Sequence, residues 1–194
     1  MAVTVGVLAL QGAFNAHIEA CAELGVQAIE VRTAEQLSVC DRIIVPGGES
    51  TTMSMMLDRN ELRAPLAARI DEGTPVFGTC AGMILLAADV SDGRADQQSF
   101  SAIDIGVRRN GYGRQNQSFS DDLDISTVDD AGPFHAMFIR APRVERLGDG
   151  VEVLASYGNE PVLCRQGPVL VAAFHPELSH DRRLHRYFCE LSAG

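Results

Sequence analysis

The stretch Thr74-Pro75-Val76-Phe77-Gly78-Thr79-Cys80-Ala81-Gly82 decides how this chain can fold. Its apolar first half is typical of a buried strand, and its small residues predict a sharp turn into a helix that begins near Met83. Gly78 and Gly82, two positions either side of Cys80, leave room for such a turn. A cysteine at this point faces a helix N-terminus, whose N–H groups and dipole favour the thiolate. The pattern therefore predicts a nucleophile elbow that both exposes and activates Cys80.

A second apolar run, residues 169–174, leads directly into His175-Pro176-Glu177. We interpret it as a strand whose pleat directs His175 and Glu177 to the same side, with Pro176 stiffening the turn between them. With Cys80 they would form a nucleophile, a base and a carboxylate that orients the base. A packing cysteine and a strand-end histidine are the ordinary interpretations of either residue alone. The two contexts together favour catalysis.

The composition fits an enzyme domain that acts on a small molecule. The chain has 194 residues, of which 46% are hydrophobic and 22% charged. That is enough for one core, so we expect a single domain over residues 1–194. The formal charge is -10 and no Lys/Arg run exceeds a pair, which argues against binding to nucleic acid or to an anionic membrane.

The cysteines and the N-terminus indicate a cytoplasmic protein. Five cysteines without a Cys-x-x-Cys spacing favour neither a disulfide framework nor a zinc site, and they suit a reducing compartment. The apolar residues 1–10 lack the basic segment of a signal peptide, so we interpret them as a buried strand. No run approaches the ~18 apolar residues of a membrane span.

The first half of the chain alternates strand and helix patterns, which predicts an α/β fold: a mostly parallel sheet covered by helices on both faces. We expect strands over residues 3–10, 27–32, 43–45 and 75–78. A helix over 16–24 should end at Gly25, and Thr33 to Gln36 resembles a capping box. In the second half, polar turn clusters separate short strands and predict an antiparallel edge. These strands are expected over residues 103–108, 118–125, 136–139, 151–156 and 161–165, and a last helix over 182–191.

The third predicted strand runs into Pro46-Gly47-Gly48-Glu49-Ser50. Two glycines after a strand can simply make a tight turn. However, the carboxyl ends of parallel strands meet at one edge of a sheet, so this loop should lie beside Cys80. There the N–H groups of Gly47 and Gly48, together with that of Ala81, could donate to an oxyanion.

Taken together, these motifs resemble those of the class I (triad) glutamine amidotransferases. The motifs typical of the superfamily are Gly78-Thr79-Cys80-Ala81-Gly82, Pro46-Gly47-Gly48-Glu49-Ser50 and His175-Pro176-Glu177. Within it, four further motifs are similar to the glutaminase subunits of pyridoxal 5'-phosphate synthase: Leu10-Gln11-Gly12-Ala13, Gly47-Gly48-Glu49-Ser50-Thr51-Thr52-Met53, Arg109-Asn110-x-Tyr112-Gly113-Arg114-Gln115 and Phe138-Ile139-Arg140-Ala141-Pro142.

The resemblance implies a three-layer, flavodoxin-like fold and hydrolysis of L-glutamine to L-glutamate and ammonia. Cys80 would form a γ-glutamyl thioester, His175 would act as acid and base, and Glu177 would support the imidazolium. No metal or organic cofactor is implied.

The resemblance also implies a set of glutamine-binding residues, with Gln11 near the oxyanion loop. The set comprises Gly48, Glu49, Ser50, Arg109, Ile139 and Arg140. Arg109 is suited to the α-carboxylate, since a guanidinium can pair with it through two hydrogen bonds. Taken singly, Arg109, Arg114 and Arg140 could be surface charges, and Glu49 could cap the following helix.

The implied partner is the (β/α)8-barrel synthase subunit, in a large hetero-oligomeric complex that receives the ammonia. The glutaminase is then expected to be weak until docking orders the oxyanion loop. Two alternatives stay open: a glutaminase subunit that feeds a different synthase, and a non-enzymatic α/β protein with a redox-active elbow cysteine. Four histidines receive no role and are expected mostly at the surface or in packing: His17, His135, His180 and His185.

Overall fold

A twisted, mostly parallel sheet carries the strand ends that the sequence predicts to be functional. The computed structural model describes residues 3–93, 98–111, 118–125, 127–128 and 132–193. In chain order, the strands in these ranges are β1 (Thr4–Leu8), β2 (Gln27–Val31), β3 (Arg42–Val45), β4 (Val76–Thr79), β5 (Ala87–Val90), β6 (Ile103–Arg108), β7 (Ser118–Leu123), β8 (Phe134–Ile139), β9 (Arg143–Leu147), β10 (Glu152–Tyr157), β11 (Glu160–Gln166) and β12 (Val169–Ala172).

The helices alternate with the strands of the first half, as the sequence predicts. They are α1 (Phe14–Glu23), α2 (Ala34–Ser38), α3 (Ser50–Arg59), α4 (Arg63–Asp71), α5 (Ala81–Leu86) and α6 (Arg183–Glu190), together with a 3₁₀ helix over Pro176–Leu178. None of the helices in the described ranges has the length and apolar character needed to cross a membrane.

The main sheet has the order β10-β11-β12-β4-β3-β1-β2 over the described residues. β1 pairs in parallel with β2 and β3, and β4 pairs in parallel with β3 and β12. β10 and β11 form an antiparallel edge beyond β12. This confirms the predicted mixed, mostly parallel sheet. β4 and β12 lie at its centre and are fully buried, as strands flanked on both sides and covered on both faces must be.

Two local predictions about helix ends are also confirmed. Gly25, with φ of +72°, follows the end of α1 in a left-handed conformation that glycine adopts without strain. At the start of α2, Thr33 Oγ1 accepts a hydrogen bond from the N–H of Gln36 at 3.3 Å, and Gln36 Oε1 accepts one from the N–H of Thr33 at 3.1 Å. This is the reciprocal capping box.

The second half departs from the expectation of one antiparallel edge. Of the strands predicted for this half, only β10 and β11 form the antiparallel edge of the main sheet. β6 lies between β5 and β9 in a second, smaller sheet, and β7 pairs with β8 in a third. The sequence reasoning missed β5, β9 and α4. β5 begins with two alanines, which are strong helix formers, directly after α5, and Pro65 within the first turn of α4 interrupts an otherwise helical pattern.

Candidate active site

Cys80 occupies a tight turn between β4 and α5. Its φ of 50° lies in the left-handed region, and its amide donates to the carbonyl of Ala172 at 2.8 Å. The two flanking glycines are required by space. A Cβ on Gly78 would lie 2.7 Å from the carbonyl carbon of Gly82, and one on Gly82 would lie 2.0 Å from the carbonyl oxygen of Val45. The predicted elbow is confirmed, with its helix beginning at Ala81 rather than near Met83.

The sequence predicted an exposed thiol at the elbow, and this part of the prediction is wrong. Cys80 is only 6% exposed and lines a cavity of about 200 Å³ at the carboxyl ends of the strands. Its Sγ donates a weak hydrogen bond to the carbonyl of Ile139, at 3.7 Å. The neighbouring loops wall the turn, so the sulfur is reached from the cavity and not directly from bulk solvent.

His175 meets Cys80 from the neighbouring strand, although not by the strand geometry that the sequence suggested. β12 ends at Ala172, and His175 precedes the 3₁₀ helix that contains Glu177. The His175 amide donates to the carbonyl of Met137 at 2.8 Å, which fixes the backbone. His175 Nδ1 lies 2.7 Å from Glu177 Oε1. A helical turn, not the alternation of a strand, brings these two side chains together.

The electrostatics of this cluster support a protonated base. Burial alone would favour the neutral imidazole, but interactions with Cys80 and Glu177 raise the pKa of His175 to about 10. Burial likewise opposes ionisation of Glu177, yet the imidazoles of His17 and His175 lower the pKa of this carboxyl below its ordinary value. Since the carboxylate can only accept, Nδ1 of His175 carries a proton.

Behind Glu177 lie two histidines that received no role from the sequence. His17 Nε2 is 3.4 Å from Glu177 Oε2 and 3.2 Å from Thr79 Oγ1, and His17 Nδ1 is 3.0 Å from His185 Nε2. Both histidines are fully buried. The one available signal for His17 was its helical spacing from the buried residues Ala20 and Cys21 in α1, which indicates a core-facing histidine.

The glycine loop after β3 forms one wall of the cavity and contacts the base directly. A Cβ on Gly47 would lie 2.4 Å from His175 Cε1, so only glycine fits there. The carbonyl of Gly47 accepts from the amide of Ala13 at 3.2 Å. Gln11 Oε1 accepts from the amide of Glu49 at 2.7 Å. The structure therefore places Gln11 behind the predicted oxyanion loop, where it holds the loop backbone.

Glu49 and Arg109 form a charged pair at the cavity. Arg109 Nη2 lies 3.0 Å from Glu49 Oε1. Glu49 also caps α3, with its carboxylate accepting from the amides of Thr51 at 3.1 Å and Thr52 at 2.7 Å, which confirms the capping interpretation. Burial opposes its ionisation, but these hydrogen bonds lower the pKa of Glu49 to about 2. The Glu49 carboxylate is therefore charged at neutral pH.

The cavity brings together most of the predicted site residues. Its lining includes Gly47, Gly48, Glu49, Ser50, Cys80, Ala81, Arg109, Ile139, Arg140 and His175. Ser50 is buried, and its Oγ has no hydrogen-bond partner within the part of the chain that the structure describes. Glu177 and Gln11 lie behind this lining. Of the motif that starts at Arg109, residues 112–115, including Arg114, lie outside the described residues. Asn110 also lines the cavity, without a predicted role.

Comparison with known proteins points to one family over nearly the whole chain. Residues 7–193 match the SNO glutamine amidotransferase family. The chain is 52% identical over 191 residues to pyridoxal 5'-phosphate synthase subunit PdxT of Mycobacteroides abscessus, covering 98% of each chain. It is 51% identical over 189 residues to the subunit of the same name from Thermus thermophilus, covering 97% of each.

Solved structures agree with this match. A crystal structure of a glutamine amidotransferase superposes with a TM-score of 0.90 at 49% identity, covering 96% of this chain and 97% of the other. A chain of PurLQS from Thermotoga maritima superposes with a TM-score of 0.73 at 14% identity, covering 97% of this chain and 98% of that one. At that identity the second likeness shows the fold alone.

Proposed function

The chain belongs to the SNO glutamine amidotransferase family, and from this membership we propose that it hydrolyses L-glutamine to L-glutamate and ammonia through Cys80, His175 and Glu177. The observation that carries the proposal is the contact chain at the base of the cavity. Cys80 and His175 line the same cavity side by side, against Gly47, and His175 Nδ1 lies 2.7 Å from Glu177 Oε1. A nucleophile, a base and an orienting carboxylate in this order are what acyl transfer from an amide requires.

The reaction begins with attack of the Cys80 sulfur on the side-chain amide carbon of glutamine. His175 holds the proton that the thiol gives up, and Glu177 stabilises the resulting imidazolium. The amide oxygen becomes negatively charged in the tetrahedral intermediate. Backbone N–H groups of the glycine loop and of Ala81 are the proposed donors to it, and their orientation before reaction would spare the cost of reorganising solvent.

Collapse of this intermediate breaks the carbon–nitrogen bond. His175 gives its proton to the departing nitrogen, so that ammonia leaves and a γ-glutamyl thioester remains on Cys80. Water then attacks the thioester carbon while His175 accepts a proton from it, and the carbon–sulfur bond breaks. The products are glutamate and the regenerated enzyme, and the sum is glutamine plus water giving glutamate plus ammonia.

Substrate recognition is assigned to the charged end of the cavity. Glutamine carries an α-carboxylate and an α-ammonium, and the Arg109–Glu49 pair offers one charge of each sign. Ser50 supplies a buried hydroxyl without a partner among the described residues. The backbone of Ile139 and Arg140 borders the same cavity and would contact the substrate through its polar groups.

We further propose that the ammonia passes to a pyridoxal 5'-phosphate synthase subunit. The relatives that are about half identical over nearly their whole length carry the name of a subunit of that synthase. Ammonia released into water is protonated and lost as a nucleophile, which favours transfer within a complex. A (β/α)8-barrel synthase in a large assembly is the proposed partner, with vitamin B6 synthesis as the outcome.

The direct test is ammonia release from L-glutamine by the purified chain, alone and with the synthase subunit from the same source. We expect release that rises when the synthase is added, and a loss on the order of 10³-fold or more in Cys80→Ala. Cys164→Ala is the matched control, because Cys164 is equally buried but lies in β11, outside the cavity lining.

Two results would overturn the proposal in different ways. Release that persists in Cys80→Ala would remove the nucleophile from the mechanism. A wild-type chain that stays silent with the synthase present would contradict the proposed partner, and would leave a glutaminase that feeds a different synthase and a redox-active Cys80 as the alternatives to test next.

A further inference from the structure

Two fully buried histidines form a hydrogen-bonded line behind the triad carboxylate. His17 comes from α1 and His185 from α6, and the two helices contact each other. His185 Nε2 is 3.0 Å from His17 Nδ1, and His17 Nε2 is 3.2 Å from Thr79 Oγ1 and 3.4 Å from Glu177 Oε2. Thr79 directly precedes Cys80. The line therefore reaches both the carboxylate of the triad and the backbone of the elbow.

The buried atoms of His17 and His185 that lack a hydrogen-bond partner indicate which ring nitrogen of each histidine carries the proton. His185 Nδ1 is buried and has no hydrogen-bond partner among the described residues. An unpaired buried acceptor is tolerated better than an unpaired buried N–H, so Nδ1 is the atom without a proton and Nε2 carries it. His185 Nε2–H then donates to His17 Nδ1, and His17 Nε2–H points toward Thr79 and Glu177.

The opposite arrangement is unfavourable at both ends. It would bury an unpaired N–H on His185 and would turn the lone pair of His17 Nε2 toward the carboxylate of Glu177. The same reasoning explains how Glu177 Oε2 is accommodated. This oxygen is buried without a hydrogen bond within the described ranges, so the His17 N–H dipole at 3.4 Å is a source of the electrostatic support that a buried carboxylate needs.

We propose that His17, supported by His185, is a positioning residue of the glutaminase site: its uncharged N–H group, 3.4 Å from Glu177 Oε2, steadies the carboxylate electrostatically so that Oε1 stays aligned with His175 Nδ1. The inference rests on the proposed function, since it concerns the same triad. His17 is not among the residues that line the cavity, so it would act through Glu177 and Thr79.

The surrounding charges are consistent with a neutral His17. Burial lowers the pKa of His17 to about 4, and the positive charges of His175 and Arg182 act in the same direction against the opposing charge of Glu177. Burial also lowers the pKa of His185 well below its ordinary value, with His17 and Arg182 adding to the effect. Both imidazoles therefore remain uncharged near neutral pH and serve as dipoles, not as counter-ions.

The first test measures His175 itself, by NMR titration of ¹⁵N-histidine-labelled protein. In His17→Leu we expect the pKa of His175 to fall from about 10 toward its ordinary value of 6.5, because Glu177 is no longer held. His17→Gln, which restores an N–H near the position of Nε2, should return most of the shift. His135→Leu removes an exposed histidine and should leave His175 unchanged.

The second test asks whether His17 acts through Glu177. We expect His17→Leu to lower kcat for glutamine hydrolysis, with the synthase subunit present, by about tenfold at nearly constant KM. In a Glu177→Ala background the same change should cost less than about twofold, because the contact it removes is already lost. Thermal unfolding of each variant separates these effects from a loss of folded protein.

Equal losses in the two backgrounds, or a His175 titration that is the same in His17→Leu and wild type, would overturn the inference and leave His17 as a packing residue. If His17→Leu does not fold, His17→Met takes its place: a His175 pKa that falls in His17→Met but not in His17→Gln supports the positioning role, and equal values in the two variants contradict it. The titration requires no turnover. It can therefore succeed or fail independently of the proposed glutaminase activity.

Discussion

The two sides of the His175 ring differ in their surroundings: one side faces the cavity, and the other faces a cluster of buried polar side chains. On the cavity side, glycine backbone, a thiol and a half-buried ion pair surround a space that a substrate can enter. On the far side, Glu177, Thr79, His17 and His185 are buried and meet one another directly. This difference indicates that the residues proposed to bind the substrate are separate from those that hold the His175 ring in place. Changes on the cavity side should alter what reaches the sulfur, and changes on the far side should alter how His175 is charged and held.

The largest effect is expected on the far side. Glu177→Gln keeps the volume but removes the charge that stabilises the His175 imidazolium, so kcat should fall on the order of 10³-fold, with a smaller change in KM. Steady-state ammonia release measures it, and Glu145→Gln, on an exposed strand, is the control. A rate within tenfold of wild type would mean that the far side does not control the charge of the base.

The variant Gly47→Ala adds a methyl group beside the His175 ring and tests whether catalysis tolerates a displacement of that ring. Gly47→Ala places a Cβ 2.4 Å from His175 Cε1, and a misplacement of about 1 Å can cost on the order of 10²-fold in rate. Ammonia release and NMR titration of His175 report this. Gly167→Ala is the control, because its Cβ meets nothing within 4 Å and only its positive φ is strained. Unchanged kinetics for Gly47→Ala would show that the loop moves freely relative to the ring.

Substrate recognition should respond to the ion pair and not to the charge of the base. Arg109→Lys loses the planar fork that matches a carboxylate, and KM for glutamine should rise about tenfold while kcat changes little. Arg108→Lys, at the neighbouring exposed arginine, serves as the control. A loss confined to kcat would place Arg109 in the chemistry and contradict the division between the two sides.

The smallest effect concerns stability. Glu49→Ala removes the cap of α3 and should lower the free energy of unfolding by about 1 kcal/mol at pH 7. The folded-state pKa of Glu49 is depressed to about 2 from 4.5, so its stabilisation is fully present above pH 4.5 and is lost as pH falls toward 2. Urea unfolding at both pH values measures the difference, which should vanish at the acidic end. If wild type and Glu49→Ala differ by the same free energy of unfolding at both pH values, the charge of Glu49 does not contribute to the capping of α3.

The arrangement of residues on the cavity side was predictable from the sequence because they lie in short contiguous motifs. Cys80 sits between two glycines, and Gly47 and Gly48 follow a strand, so local pattern and parallel topology suffice to bring them together. The partnership of His175 and Glu177 was also predicted, although through strand alternation and not through the 3₁₀ turn that produces it. Their spacing of two residues fits either geometry, so sequence alone does not separate them.

The far side was not predictable in the same way. His17 and His185 come from the first and last helices of the described chain, and each alone has the signature of a packing histidine. Their meeting depends on α1 packing against α6, which no local pattern reports. β5, β9 and α4 were missed for a related reason: their alanine, charged or proline residues contradict the local propensity, and contacts elsewhere in the fold outweigh it.

The pairing of β4 with β12 bears on how this enzyme can change over time. Thr79 and Ala172 are register partners on adjacent parallel strands, so the elbow and the loop to His175 start about 4.8 Å apart, whatever chain lies between them. Insertions, deletions and replaced segments between β5 and β11 leave that spacing intact. The parts of this intervening segment that do not carry Arg109 or the end of β8 are therefore free to diversify, while the inherited chemistry stays in place.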